Sequence, residues 1–340
     1  MRTRVALGGA LVHAARGRDE EGAMALHEAL TIGQDPAACR ELAYVEFLRG
    51  RYERALSWLQ RAAPIAYEDR AEQARIATVH GAALSDTAHY ADAISMLHDA
   101  ERLAQGAGDS KQVCYALSML GRVLLLQGEL AAARDALDRS VALARQGWTA
   151  FVPWPQSLRA EVDLGCGDLA AASERFEQAF ALGCQIGDPC WQGIAGRGLG
   201  CVAMARGEPR RALEILVDAV ERCHRVPDAY LWGKGHALDA LCRLAVAQAM
   251  PQASAWIHEL QNLASRSGMR ELTVRAYLHR QALGDNASGI AARLLARQID
   301  NPALHALVES GLADTEKENE GCETAQSFKP VTALPARGTP

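Results

Sequence analysis

Apolar and small residues recur along the chain at three- and four-residue intervals, in blocks long enough for amphipathic helices, and the blocks come in pairs. Short turns join the members of each pair, and the turns align with one another. They read RGRDEEGAMAL at 16–26, RGRYERALSWL at 49–59, TAHYADAISML at 87–97, QGELAAARDAL at 127–137, CGDLAAASERF at 166–176 and RGEPRRALEIL at 206–216, with a weaker copy, AQAMPQASAWI, at 247–257. The turn residues Gly17, Gly50, Ala88, Gly128, Gly167, Gly207 and Gln248 lie 33 to 41 positions apart, the period of a helical-hairpin solenoid. Val, Ile and Thr are too sparse for many strands.

Small residues explain the unit. Glycine ends the first helix because it enters the left-handed region cheaply, and Ala55, Ala93, Ala133, Ala172 and Ala212 let the second helix press on the first. Four residues on stand Leu59, Leu97, Leu137, Phe176 and Leu216; three further stand Ala62, Ala100, Ser140, Ala179 and Ala219. Steps of four and three keep all of them on one buried face. A hairpin with apolar surface on both flanks needs neighbours on both sides, so the hairpins stack into a superhelix.

The series resembles the tetratricopeptide repeat family, whose pattern sets Leu-Gly in helix A, Gly-x-Tyr at the turn, and Ala, an apolar residue and Ala in helix B. His80-Gly81, Leu120-Gly121 and Leu199-Gly200 supply the first pair, and Gly50-x-Tyr52 matches the turn. The resemblance covers about residues 3–300 and implies an all-α, right-handed superhelix of about six to seven hairpins. Most copies run near 40 rather than 34 residues, and the last two are degenerate. The extra residues precede helix A as linkers such as Gly108-Asp109-Ser110 and Gly187-Asp188-Pro189. Elongated repeats of this kind are similar to the sensor region of large ATP-binding LuxR-type regulators and signal-transduction ATPases. That likeness implies a non-catalytic protein- or peptide-binding module, the sensor or regulatory part of a bacterial transcription or signalling regulator, with a separate ATPase or helix-turn-helix protein as a further partner. A free-standing adaptor that assembles a complex is the alternative on the same fold. In the family, helix A lines the concave groove. Carried over to this chain, the groove positions are Arg40, Tyr44, Arg75, Thr78, Tyr115, Ser118, Arg122, Trp154, Ser157, Glu161 and Arg197. Recurring arginines with aromatics suit the carboxylates and side chains of an extended peptide.

Composition narrows the reading. Aromatics make up 5% of the chain, and its net charge is −5, which offers no general attraction to nucleic acid or anionic membrane. No run of 18 apolar residues is present and the amino terminus lacks a signal-peptide pattern, so the chain reads as cytoplasmic. The 9 cysteines are scattered without a C-x-x-C pair and suit neither a disulfide framework nor a zinc site. No phosphate loop is found: Lys234 follows Gly233 without the upstream glycine. The cluster Gly193, Gly196, Gly198 and Gly200 falls inside a helix A rather than after a strand, so it reads as close packing. The histidines form no H-E-x-x-H arrangement, and no catalytic residue, cofactor or metal is expected. Residues 1–312 are assigned to the repeat domain and 313–340 to a charged, proline-containing disordered tail. One irregular segment, Trp148 to Pro155, carries two tryptophans and a phenylalanine, either as an aromatic binding patch or as a plug between repeats.

Overall fold

The computed structural model describes residues 1–14, 19–225 and 230–310, and these fold entirely into helices and turns. Eight hairpins follow one another: α1 (Arg2–Ala14) with α2 (Asp19–Ile32), α3 (Pro36–Leu48) with α4 (Tyr52–Ala62), α5 (Arg70–Asp86) with α6 (Tyr90–Gly106), and α7 (Ser110–Leu126) with α8 (Leu130–Gly147). Then come α9 (Pro153–Gly165) with α10 (Leu169–Gln185), α11 (Pro189–Ala205) with α12 (Pro209–His224), α13 (Leu231–Ala247) with α14 (Ala253–Ser267), and α15 (Arg270–Ala282) with α16 (Asn286–Ala296). A helical run at 302–310 closes the described chain. The array is thus one hairpin longer than the repeat pattern alone predicts, because the eighth copy keeps its turn, Gly284, but not the alanine stripe. The predicted tail and the turn residue Gly17 lie outside the described residues.

The predicted stripes sit where the packing argument puts them. Ala55, Ala93, Ala133, Ala172 and Ala212 are fully buried, and so are the residues four positions on, from Leu59 to Leu216. Each such leucine contributes about 1.5–3 kcal/mol by leaving water. Facing them, the helix A glycines leave no room for a side chain: a Cβ on Gly81, Gly121 or Gly200 would stand 2.7, 2.5 and 2.6 Å from the facing Leu97, Leu137 and Leu216. The glycine cluster of α11 does the same on both flanks, with Gly198 against Phe176 and Gly193 against Cys223.

Helix ends follow from local chemistry. The side chains of Asp35, Asp69, Asp109 and Asp188 cap α3, α5, α7 and α11 by accepting from amides of the first turn. Within the hairpins the chain turns through the left-handed region at Gly50, Gly128, Gly167, Gly207 and Gly284, and also at Ala88 and Ala249. In the seventh hairpin the strained residue is therefore Ala249, one position after the Gln248 expected from alignment.

Helices B bury only their alanine–leucine stripe and expose the rest, whereas α7, α9, α11 and α13 are buried on nearly every side. Helices A accordingly form the inner layer and helices B the outer one. The superhelix coils tightly enough that its late repeats rest on the turns of its early ones. Leu231 packs against Gly50, Arg270 donates to the carbonyls of Thr87 and Ala88 at 2.8 and 2.9 Å, and Asn301 donates to the carbonyl of Leu126 at 3.1 Å.

Candidate functional site

The inner layer encloses a cavity of about 1010 Å³ between α3, α5, α7, the segment before α9, and the start of α11. Each wall follows from a local feature of the chain. The first turns of α3 and α5 are pinned by Asp35 and Asp69, which aims the next inward positions, Arg40, Tyr44 and Arg75, at the cavity. After α8 the chain cannot run straight into α9, because Pro153 and Pro155 hold the start of that helix; a 3₁₀ turn, Thr149–Phe151, fills the gap. That turn stacks Trp148 on Phe151 with ring centres 4.1 Å apart and sets Phe151 at right angles to Tyr115 and Trp191. Trp154 stands behind them, 0% exposed, with its indole N–H donated to Ser118 Oγ at 3.2 Å. Beneath lie Phe47 and Tyr230, 5.1 Å apart.

One edge of the cavity is a ladder of side chains in which arginines and carboxylates alternate. His13 meets Glu41 at 2.8 Å, Glu41 is bonded by Arg40, Arg40 donates Nε to Glu72 at 2.7 Å, and Arg75 bridges Glu72 and Asp109 at 3.5 and 2.8 Å. Each arginine reaches the first turn of the next inner helix, so the ladder also fixes the spacing of hairpins one to four. Burial pushes the Glu41 carboxyl up, but Arg40 and His13 outweigh it and hold it at about 2. The opposite edge is aromatic. Such a site offers flat apolar faces on one side and hydrogen-bonding charge on the other.

Of the eleven groove positions read from sequence, Arg40, Tyr44, Arg75, Tyr115 and Trp154 line this cavity. The other six do not. Arg122 is fully buried and bonds Asp86 at 2.7 Å, because the late repeats cover the inner face at its level. Arg197 and Glu161 close on each other in an ion pair outside the cavity lining. Thr78, Ser118 and Ser157 are also fully buried, each returning its hydroxyl to a carbonyl three or four residues back. Sequence reasoning left Trp191 and Tyr230 out of the groove set, although their position just before or at the start of a helix A parallels that of Trp154. It had no signal for His13, Glu41 or Phe47, which reach the cavity only through the coil of the whole array.

Deeper along the inner layer, towards the C-terminal repeats, the space is occupied by paired charged side chains. Asp239 accepts from His279 at 2.8 Å and faces Arg275 at 3.5 Å; Arg275 meets Glu271 at 2.8 Å; Glu271 accepts from Tyr90 and from Asn301. Burial alone would raise the Asp239 carboxyl, yet the His279 bond and Arg275 bring it well below the ordinary range. His236, buried against Trp232, is held neutral by burial and by Arg197 and Arg275. No group of three metal-binding side chains is found among the described residues, and none of their helices is long and apolar enough to cross a membrane.

A tetratricopeptide repeat family model matches residues 113–146, which span most of α7 and α8. No curated protein matches the chain by sequence. Among solved structures the chain is similar to a Rap protein complexed with Competence and Sporulation Factor, with a TM-score of 0.67 and 12% identity over 96% of this chain and 93% of that one. It is similar to NprR in complex with its cognate peptide NprX, at 0.64 and 13% over 95% and 96%. A Signal Transduction ATPase with Numerous Domains from Pyrococcus horikoshii, with a tetratricopeptide repeat sensor, gives 0.52 and 14% over 86% of this chain and 46% of that one. The fold is a tetratricopeptide-type superhelix.

Proposed function

We propose that this superhelix is a receptor for a peptide or an extended protein segment, held in the inner cavity, and that it serves as the sensing part of a regulator. The observation that carries this is the cavity itself. Its volume of about 1010 Å³ lies at the top of the ~300–1,000 Å³ range of small-molecule sites, and its lining combines a charged ladder with an aromatic wall. A peptide of a few residues suits that lining, with polar backbone and termini at Arg40, Glu41 and Arg75 and a bulky side chain among Tyr115, Trp148 and Trp191. Of the solved structures of similar fold, one holds its cognate peptide, one is complexed with Competence and Sporulation Factor, and a third carries its repeats as a sensor, which supports the same reading. In that role the protein needs no chemistry of its own; it passes occupancy to an ATPase or a DNA-binding partner.

Selection of a randomised peptide library on the immobilised protein tests the reading. Peptides enriched on the wild type should be lost on Trp148→Ala and Tyr115→Ala and kept on Asp239→Asn. Enrichment that ignores the cavity substitutions, or no enrichment at all, overturns it.

A further inference from the structure

Tyr230 belongs to the cavity and, at the same time, to the joint between early and late repeats. It opens α13, yet its ring packs on Phe47 of α3 at 5.1 Å and Trp154 of α9 at 5.8 Å. Its hydroxyl donates to Asp86 of α5 at 3.0 Å and accepts from Arg122 of α7. One side chain from the seventh hairpin thus joins the second, third, fourth and fifth. The rest of the seam includes Arg270 on the carbonyls of Thr87 and Ala88, Tyr90 on Glu271, Asn301 on the carbonyl of Leu126, Gln127 on the carbonyl of Asp300, Trp232 against Arg122 and Trp154, and the close approaches Gly50–Leu231 and Gly128–Ala303. None of these contacts belongs to the hairpin-on-hairpin stacking that builds the coil, so the seam can part while every hairpin stays folded.

From this we infer that Tyr230 is a positioning residue whose bonds to Asp86 and Arg122 close the coil and, by doing so, complete the floor of the cavity. Cavity occupancy and seam closure are then linked: a ligand that rests on the Phe47–Tyr230–Trp154 floor binds the closed coil alone and stabilises it. The linkage rests on the cavity being the ligand site; the role of the seam in shaping the cavity does not.

Labelling with 5-fluorotryptophan and recording ¹⁹F spectra tests the two separately. Asp86→Asn and Tyr230→Phe weaken the clasp without removing a ring from the cavity. Both should shift or broaden the signals of Trp148, Trp154 and Trp191, leave the outer Trp58 and Trp256 unmoved, and speed hydrogen exchange in 270–282. A Cβ on Gly128 would lie 3.3 Å from that of Ala303, near the ~3.5–4.5 Å of a disulfide, so Gly128→Cys with Ala303→Cys locks the seam in a Cys166→Ser, Cys184→Ser background. The lock should return the three cavity signals to their wild-type positions. Faster exchange at the seam with unmoved cavity signals, or signals the lock does not restore, overturns the inference. A peptide selected on the wild type should bind Asp86→Asn about 5–150-fold more weakly and recover its affinity in the locked variant. Equal affinity for the open and closed forms overturns the linkage, and failure to select any peptide removes the receptor reading while the fluorine spectra still decide the seam.

Discussion

The inner face of this superhelix is built twice from the same kind of helix, with opposite results. Along α3, α5, α7 and the turn before α9, arginines pair sideways with the next helix and aromatic rings stand apart, leaving an open cavity. Along α13 and α15, Asp239, Glu271, Arg275 and His279 pair just as locally, but Tyr90 of the third hairpin and Asn301 reach in to Glu271 and the space is filled. The backbone plan is shared; the difference lies in which side chains meet. Arg75 on Asp109 and Arg122 on Asp86 join the same two inner helices, yet only the second pair is covered, because Tyr230 of the seventh hairpin crosses the coil to bond both its members. An arginine on a concave face is therefore no indication of ligand contact until what lies over it has been located, as Arg122 illustrates.

Substitutions that cut the covered charges should cost the most stability. Arg122→Ala leaves Asp86 buried without its cation and should lower the free energy of unfolding by about 3–5 kcal/mol in urea titrations. Asp239→Asn, which weakens the bonds to His279 and Arg275, should cost about 1–3 kcal/mol and leave peptide affinity unchanged. If Asp239→Asn weakened binding as much as a cavity substitution, the division into an open and a filled half would fail. Trp148→Ala should show the reverse pattern, with at least ~2 kcal/mol lost from binding by calorimetry and a smaller loss of stability.

The charged edge of the cavity and the clasp beneath it should also respond to pH with opposite sign. Glu41, on the open side, has its carboxyl lowered from 4.5 to about 2, so it contributes stability above pH 4.5 that is lost as pH falls towards 2. Asp86, in the clasp, is raised by burial from 3.8 to about 6 against the pull of Arg122, so the folded chain holds a proton that the unfolded chain has released. Its contribution is present below pH 3.8 and is lost as pH rises to 6. Unfolding curves of Glu41→Gln and Asp86→Asn, each subtracted from wild type, should show a rise with pH in the first window and a fall in the second. The smallest effect belongs to the mouth: Arg225→Ala, half-exposed and 3.9 Å from Asp218, should change stability by no more than about 0.5 kcal/mol. A tenfold change in peptide affinity from that substitution would extend the recognition surface out to the rim.

Repeat architecture was legible because it is a local property. Turn glycines, the alanine and leucine stripe of helix B and the aspartate caps act within one hairpin, over a few residues, and each leaves its spacing in the chain. The aromatic segment from Trp148 was legible as an irregularity, and Tyr44, Tyr115 and Trp154 were placed on the inner layer from the repeat phase. What escaped was the level along the coil at which that layer is covered. Arg40 and Arg122 occupy inner helices two hairpins apart, but only Arg122 lies beneath the seventh hairpin.

By itself, then, the amino-acid sequence determined the secondary structure, the hairpin pairing and which helices face inward, since these follow from periodicity and from contacts within and between adjacent repeats. The tertiary structure alone decided how tightly the coil winds, that an eighth hairpin joins it, and that Tyr230 meets Asp86 across 144 positions of chain. The physical reason is accumulation. Superhelical pitch is the sum of small rotations between hairpins, each set by packing details too fine to read from residue type, and the cavity is the space that this sum leaves open.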